Sequence, residues 1–394
     1  MRNKFQVMHG NNIKFIESIR QEYESIETPC YIFDPEILIN NFKQLKQKLG
    51  TALILSVKAN PCSELLLRSS HITTDGYEVA SLQELNLVAG RASGVKYVNN
   101  LSMSINLLRA AIGAKATIII DNLHQVELLK NLKGNYDISA LIIRLNSTVL
   151  NKFFPEQPTM FRDDHFGTDW DCLPLIISKI HELKIKIKGF HIFRGSNTFI
   201  NSALPTITAI QKLIPEVESM LGYPVNFFNL GGGFLKDWQE SNFDFNDYRK
   251  NLKTLPSYVE LAHESGRGIF ASAGAFLVKI IAIKKLNNHI IAICNGGLAH
   301  NFLLCRTENP IRKYQVPTLL KQSHAQNGTI SELPIIYVGT TCSKDDIIAK
   351  MPKGSSLPEP GDICIFHNCG AYNSTYNMPK FLGLGEPSIY IGKL

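Results

Sequence analysis

Six short stretches of this 394-residue chain carry residue types that could do chemistry. Lys58 lies in Leu55-Ser56-Val57-Lys58-Ala59-Asn60-Pro61, where an apolar run breaks into Asn-Pro. That pattern predicts the carboxyl end of a buried strand with the lysine at its rim. A partly desolvated amine there can have its pKa lowered and attack a carbonyl, although a strand-end lysine is also an ordinary solvated cap. Gly231-Gly232-Gly233 follow the apolar run Asn226–Leu230. Three glycines can turn backbone N–H groups toward a phosphate, or form a plain tight turn. Glu264-Ser265-Gly266-Arg267 is either an exposed ion pair or a carboxylate and a guanidinium given to different parts of one ligand. In Gly189-Phe190-His191-Ile192-Phe193-Arg194-Gly195-Ser196, the Ser196 hydroxyl could bind phosphate and Phe193 could stack on an aromatic ring. His191 reads as a satisfied barrel-interior histidine. Cys342, in the polar run Gly339 to Asp346, is a structural thiol or, beside Lys344, a reactive one. Tyr372 in Gly370-Ala371-Tyr372 is a wall residue or a hydroxyl for phosphate.

Placing these groups requires a scaffold, and the apolar patterning supplies one. Strands are predicted at Leu53–Lys58, Gly76–Val79, Lys96–Val98, Thr117–Ile120, Ala140–Leu145, Ile187–Phe193, Asn226–Leu230 and Gly268–Ser272. Helical spacing recurs between them, as in Ser81–Val88, Asn122–Leu132 and Cys172–Leu183. Alternation of this kind over such a length favours an α/β (β/α)₈ barrel of the TIM type over a doubly wound sheet. From about Leu277 the pattern turns to β runs: Val278–Ile283, His289–Cys294, Leu333–Val338, Asp362–His367 and Ser388–Ile391, with Cys30–Phe33 able to join them. The predicted organisation is an N-terminal segment, 1–36, that joins the β domain, a barrel over 37–276, and a C-terminal β-sandwich or β-barrel domain over 277–394.

Composition narrows the function classes. The 41 basic and 34 acidic residues leave a charge of +7, spread without a basic block or basic-aromatic interleaving, so nucleic acid is not an expected partner. The eight cysteines show no CxxC pair or framework spacing, and Met1 to Asn12 lacks an apolar signal core. Reduced thiols in a cytoplasm are the expectation, with no membrane span and no metal site.

The order of the motifs along the chain is more specific than any one of them. VKANP, GYEVAS, HxxxGS, GGGF, ExGR, TC in a β domain and then GAY resemble the ornithine/diaminopimelate decarboxylases. These are pyridoxal 5′-phosphate (PLP) enzymes of the alanine-racemase fold type, and the resemblance runs from about Thr28 to the C-terminus. It implies a head-to-tail homodimer with shared active sites and decarboxylation of an amino acid through an external aldimine and a quinonoid. By position, Lys58 would be the cofactor-bearing lysine. Gly231, Gly232, Gly233, Ser196, Gly266, Arg267 and Tyr372 would surround the phosphate. Glu264 would pair with the pyridine nitrogen, Glu78 would lie near the cofactor, and Cys342 would direct protonation as the partner subunit's thiol.

Departures from the family pattern bear on the substrate. Phe193 stands where a ring-stacking histidine is usual and is followed by Arg194. Ser265 replaces a proline, His165 a lysine, and Ser343 an acidic residue that commonly reads a distal amine. The FHIFRGSN and NGGLAHNF runs resemble a branch associated with exosortase and exopolysaccharide clusters, itself similar to decarboxylases of carrier-protein-bound glutamate. The expected substrate is thus a small amino acid, diaminopimelate-, ornithine- or lysine-like, or a carrier-bound glutamate-like one. Arg194, His300, Ser343 and Asp346 are the candidate substrate contacts. A racemase of the same fold and a catalytically silent regulatory relative are the alternatives. Glu264 speaks against the first, and the presence of Lys58, Arg267 and Tyr372 against the second.

Overall fold

The structure, a computed structural model, describes residues 26–132, 138, 140–157, 159–307, 313–321 and 329–392. Residues 1–25 of the predicted N-terminal segment lie outside it. The chain divides into two compact units, Leu38–Ala271 and a second made of Ser272–Leu394 with the chain up to Ile37.

In the first unit, eight parallel strands close into a barrel: β2 (Ala52–Ser56), β3 (Tyr77–Val79), β4 (Lys96–Asn99), β5 (Thr117–Ile120), β6 (Ala140–Leu145), β7 (Lys186–Ile192), β8 (Phe227–Asn229) and β9 (Glu260–Ser265). Their Leu, Ile and Val content reflects burial on both faces, toward the helices outside and toward the barrel axis within. Ile54, Tyr97, Ile119, Ile142, Phe227 and Ala262 form the packed interior layer. The helices Leu82–Val88, Ile105–Gly113 and Phe245–Leu252 start at side-chain caps, Ser81, Ser104 and Asp244. Ser81 accepts from Glu84 N at 3.1 Å, while the Glu84 carboxylate accepts from Ala80 N at 2.7 Å. Helix Phe199–Leu221 stops at Gly222, which adopts φ +76°.

One strand differs from its sequence expectation. The eighth barrel strand is Glu260–Ser265, and residues 268–270 of the expected strand Gly268–Ser272 are helical. The reason is chemical. Glu260-Leu-Ala-His-Glu-Ser265 reads as polar because His263 and Glu264 are both committed to buried partners, whereas Gly268-Ile-Phe is apolar because a short helix packs there. Glu264 and Ser265 therefore end a strand instead of preceding one.

The second unit is an eight-stranded mixed sheet. Along its path run β12 (Thr318–Leu320), β15 (Ile363–Phe366), β10 (Gly274–Lys285), β11 (Ile290–Cys294), β13 (Ile335–Val338) and β14 (Ile347–Met351). Strand β1 (Cys30–Phe33) pairs antiparallel with β10 and parallel with β16 (Ser388–Ile391). Strands β12 and β14 are additional to those predicted. No helix among the described residues is long and apolar enough to cross a membrane.

Candidate active site

Strand register decides which side chains meet at the barrel's carboxyl rim. Ser56 pairs with Glu78, Arg144 with His191, and His191 with Asn229, and parallel partners face the same way. Above the apolar interior layer, the inward positions at the strand ends are thus polar: Glu78, Asn99, Asp121, Arg144, His191, Asn229 and Glu264, all buried. This is the end of the barrel where catalytic groups collect.

Lys58 sits two residues past β2, on the 3₁₀ turn Val57–Ala59, so the strand ends two residues earlier than predicted. Its Nζ donates to both Glu78 oxygens, at 2.8 and 2.6 Å. The lysine side chain is 42% exposed while that of Glu78 is 1% exposed, so the amine faces the open side of a sunken carboxylate.

Glu264 is held from below. Its Oε1 accepts from Asn229 Nδ2 at 2.8 Å and lies 3.3 Å from His191 Nε2. Burial by itself would raise this carboxyl. The His191 imidazole, the Lys58 charge and the Asn229 amide outweigh it and bring the pKa down to about 2. Oε2 has no hydrogen-bond partner among the described residues. His191 is interior as expected but not satisfied: neither ring nitrogen makes a well-aligned hydrogen bond among the described residues.

The glycine turn is built from anchored carbonyls. Gly231 O accepts from Glu264 N at 3.0 Å, Gly232 O from Arg194 Nη2 at 3.1 Å, and Gly233 O from Phe199 N at 3.2 Å. Gly231 N donates to Asn229 Oδ1 at 2.9 Å. The N–H groups of Gly232 and Gly233 have no acceptor among the described residues. Gly231 and Gly233 adopt φ +66° and +90°, and a Cβ on Gly233 would stand 2.7 Å from Gly195 O. The N–H groups of Gly232 and Gly233 lie beside the start of the 23-residue helix Phe199–Leu221, whose macrodipole adds positive potential there. Ser196 is exposed just before that helix and Phe193 is half-buried. Arg267 opens the short helix after Gly266 and is also half-buried.

Arg144, Asp121, Asn99 and Asn229 are rim residues that sequence reasoning missed. Arg144 Nη1 lies 3.4 Å from Asn99 Oδ1 and 3.5 Å from Asp121 Oδ2, with its guanidinium 4.3 Å from the Phe166 ring centroid. Asp121 also accepts from Gly167 N at 2.9 Å, which ties the His165-Phe166-Gly167 loop to the rim. The available signal was the polar residue closing each apolar run, as in Thr117-Ile-Ile-Ile-Asp121.

The substrate candidates have other placements. Arg194 is buried, donating to Thr206 Oγ1 at 3.0 Å as well as to Gly232 O, so its guanidinium lies behind the glycine turn and not open to a substrate. Asp346 is buried in the β unit. It accepts from Leu298 N at 2.7 Å, Thr341 N at 2.9 Å and Thr341 Oγ1 at 2.7 Å, which leaves it unsuited to a substrate ammonium. Gly297 and Gly339 pack closely against its carboxylate. Ser343 Oγ accepts from Asp345 N at 3.2 Å, and His300 is buried beside the same cluster. The thiol of Cys342 is exposed on the loop that Asp346 anchors. Tyr372 holds a left-handed backbone, φ 68°, which is uncommon for a bulky side chain and tends to occur where function demands it.

The residues fit a phosphate-bearing pyridine. An ionised buried carboxylate with a spare oxygen suits a protonated ring nitrogen, two spare N–H groups suit a phosphate, and an amine stands at the same rim. No group of side chains suited to a metal ion occurs among the described residues.

Comparison with known proteins bears on the family and the fold. A relative from Niallia circulans, L-glutamyl-[BtrI acyl-carrier protein] decarboxylase, is 24% identical over 92% of this chain and 88% of its own. The 2-[(L-alanin-3-ylcarbamoyl)methyl]-2-hydroxybutanedioate decarboxylase of Staphylococcus aureus is 23% identical over 96% and 98%. In fold, the chain is similar to the lysine/ornithine decarboxylase of Vibrio vulnificus complexed with putrescine. The TM-score is 0.78 at 20% identity, covering 98% of this chain and 99% of the other. Residues 36–279 match the model of the pyridoxal-dependent decarboxylase, pyridoxal binding domain, and the chain belongs to that family of PLP-dependent decarboxylases.

Proposed function

We propose that this PLP-dependent carboxy-lyase removes the α-carboxylate of an amino acid whose distal end is acylated or acidic instead of a free ammonium. A carrier-protein-bound glutamyl group is the leading case. The observation behind this reading is the state of the Cys342 loop. Ser343 stands at the position where the family commonly has an acid, and the Asp346 oxygens are occupied by backbone amides and a hydroxyl. The names of the two relatives support it: one has a glutamyl group on an acyl-carrier protein, the other an alanine joined through a carbamoyl group to a hydroxybutanedioate.

Lys58 would hold the cofactor covalently, Gly232 N and Gly233 N its phosphate with Ser196, Gly266, Arg267 and Tyr372, and Phe193 one face of its ring. When bound, PLP supplies an electron sink for the bond to the departing carboxylate. Glu264, kept ionised by His191 and Lys58, would hold the proton on the ring nitrogen. Glu78 accepts from the Lys58 ammonium and so orients the amine when it is not bonded elsewhere. Cys342 would return a proton to the α-carbon from the partner subunit of a head-to-tail homodimer, for which its exposure suits it. The natural setting of such an enzyme is the cytoplasm.

CO₂ release from a panel tests the reading: meso-diaminopimelate, ornithine, lysine, arginine, glutamate and a glutamyl carrier protein. The expected outcome is turnover of the glutamyl carrier protein, with the diamine precursors at least about a hundredfold slower in kcat/KM, since an ammonium left without its acid is poorly accommodated. Efficient turnover of ornithine or lysine would reject the substrate class. Borohydride reduction that fixes the cofactor anywhere but Lys58 would reject the assignment of the lysine.

A further inference from the structure

Arg194 is a cation in an unusual setting. Its side chain is buried, the Phe199 ring centroid lies 5.8 Å from the guanidinium carbon, and no carboxylate comes within ion-pair distance among the described residues. Its bonds go to two neutral oxygens, Thr206 Oγ1 and Gly232 O, and Nε has no partner among the described residues. Burying an unbalanced charge is costly unless something on the other side balances it. Burial does depress the pKa of Arg194 below its ordinary value. The charge also helps keep the neighbouring His263 neutral.

The peptide joining Gly232 to Gly233 shows what lies on that other side. In a planar trans peptide the C=O and the N–H point in opposite directions. By holding Gly232 O at 3.1 Å, Arg194 aims Gly233 N–H the other way, out of the turn, and polarises it. That N–H is one of the two without an acceptor among the described residues.

We propose that Arg194 is a positioning residue for the cofactor's phosphate, fixing the Gly232–Gly233 peptide and supplying from behind it the positive charge that the phosphate dianion balances. The proposal rests on placing the phosphate at the glycine turn. It gives Arg194 an indirect role toward the cofactor in place of a direct one toward the substrate.

The test compares PLP with pyridoxal, which lacks the phosphate, by spectroscopic titration of the full chain stripped of cofactor. In Arg194→Met, PLP affinity should fall about ten- to a hundredfold while pyridoxal affinity stays within about twofold, because a buried charge acts strongly on a nearby dianion. Arg194→Lys, which keeps the charge, should keep the wild-type preference for PLP over pyridoxal to within about threefold. An equal loss for both ligands, or an unchanged preference in Arg194→Met, would overturn the proposal. If Arg194→Met does not fold, Arg194→Lys decides alone: loss of the preference overturns it and retention supports it. A wild-type chain with no preference for PLP over pyridoxal would instead sink the placement of the phosphate, which separates that failure from this one.

Discussion

Glu264 shows how much chemistry one side chain can be given by its surroundings. Its carboxyl is buried, which alone favours the neutral acid, yet His191, Lys58 and Asn229 hold it ionised. Glu264→Gln keeps the shape and removes the charge. It should lower kcat by about a hundredfold or more, as loss of one preorganised electrostatic partner does. The cofactor should remain on Lys58, with an altered absorbance spectrum as the check. A spectrum and kcat like the wild type would show that Glu264 does not face the ring nitrogen. Lys58 and the glycines were legible in the sequence because each directly follows an apolar run, and Glu264 was legible only through its place in the ordered motifs. Asp121, Arg144 and Asn229 were not, because a polar residue closing an apolar run looks like any strand terminus until the barrel closes and turns it inward.

At the scale of elements, the glycine turn after β8 depends on the eighth strand being Glu260–Ser265. Only in that register does Glu264 N reach Gly231 O, at 3.0 Å, while the Glu264 side chain points to the axis. The expected strand at Gly268–Ser272 would have placed Glu264 outside the barrel. Apolarity was a poor guide here because β9 buries polar side chains, with His263 and Glu264 Oε1 finding partners inside. Gly233→Ala tests the turn. With φ +90° and Gly195 O 2.7 Å from the new Cβ, the substitution should cost about 1–3 kcal/mol in local strain and reduce PLP affinity, read by thermal shift with and without cofactor. A fully stable variant with unchanged affinity would mean that the turn is not the cradle.

Across the whole molecule, the pH dependence of stability should carry the signature of His263. Its Nδ1 meets Thr51 Oγ1 and its Nε2 meets Tyr248 OH, both at 2.7 Å. Burial, aided by Arg194, brings its pKa down from 6.5 to about 3. The unfolded chain takes up a proton near pH 6.5 and the folded one does not until about pH 3. Stability is therefore complete above that range and declines as the pH falls through it, by up to about 1.4 kcal/mol per pH unit. Glu264, with its pKa lowered from 4.5, adds a further loss at the acid end. Urea midpoints should fall between pH 6.5 and 4.5, and His263→Gln should flatten that slope. An equal slope in the variant would assign the effect elsewhere.

The sequence by itself determined the fold class and the cofactor, and singled out Lys58 as the candidate to carry it. Those follow from short-range patterns: the period of apolar runs, the glycines after a strand, the order of the motifs. Tertiary structure alone decided which polar groups share the barrel mouth, that Arg194 lies behind the glycine turn, and that Asp346 is consumed by Leu298 and Thr341. Those facts depend on strand register and on buried polar groups finding partners far along the chain, a long-range constraint that no local window of sequence contains.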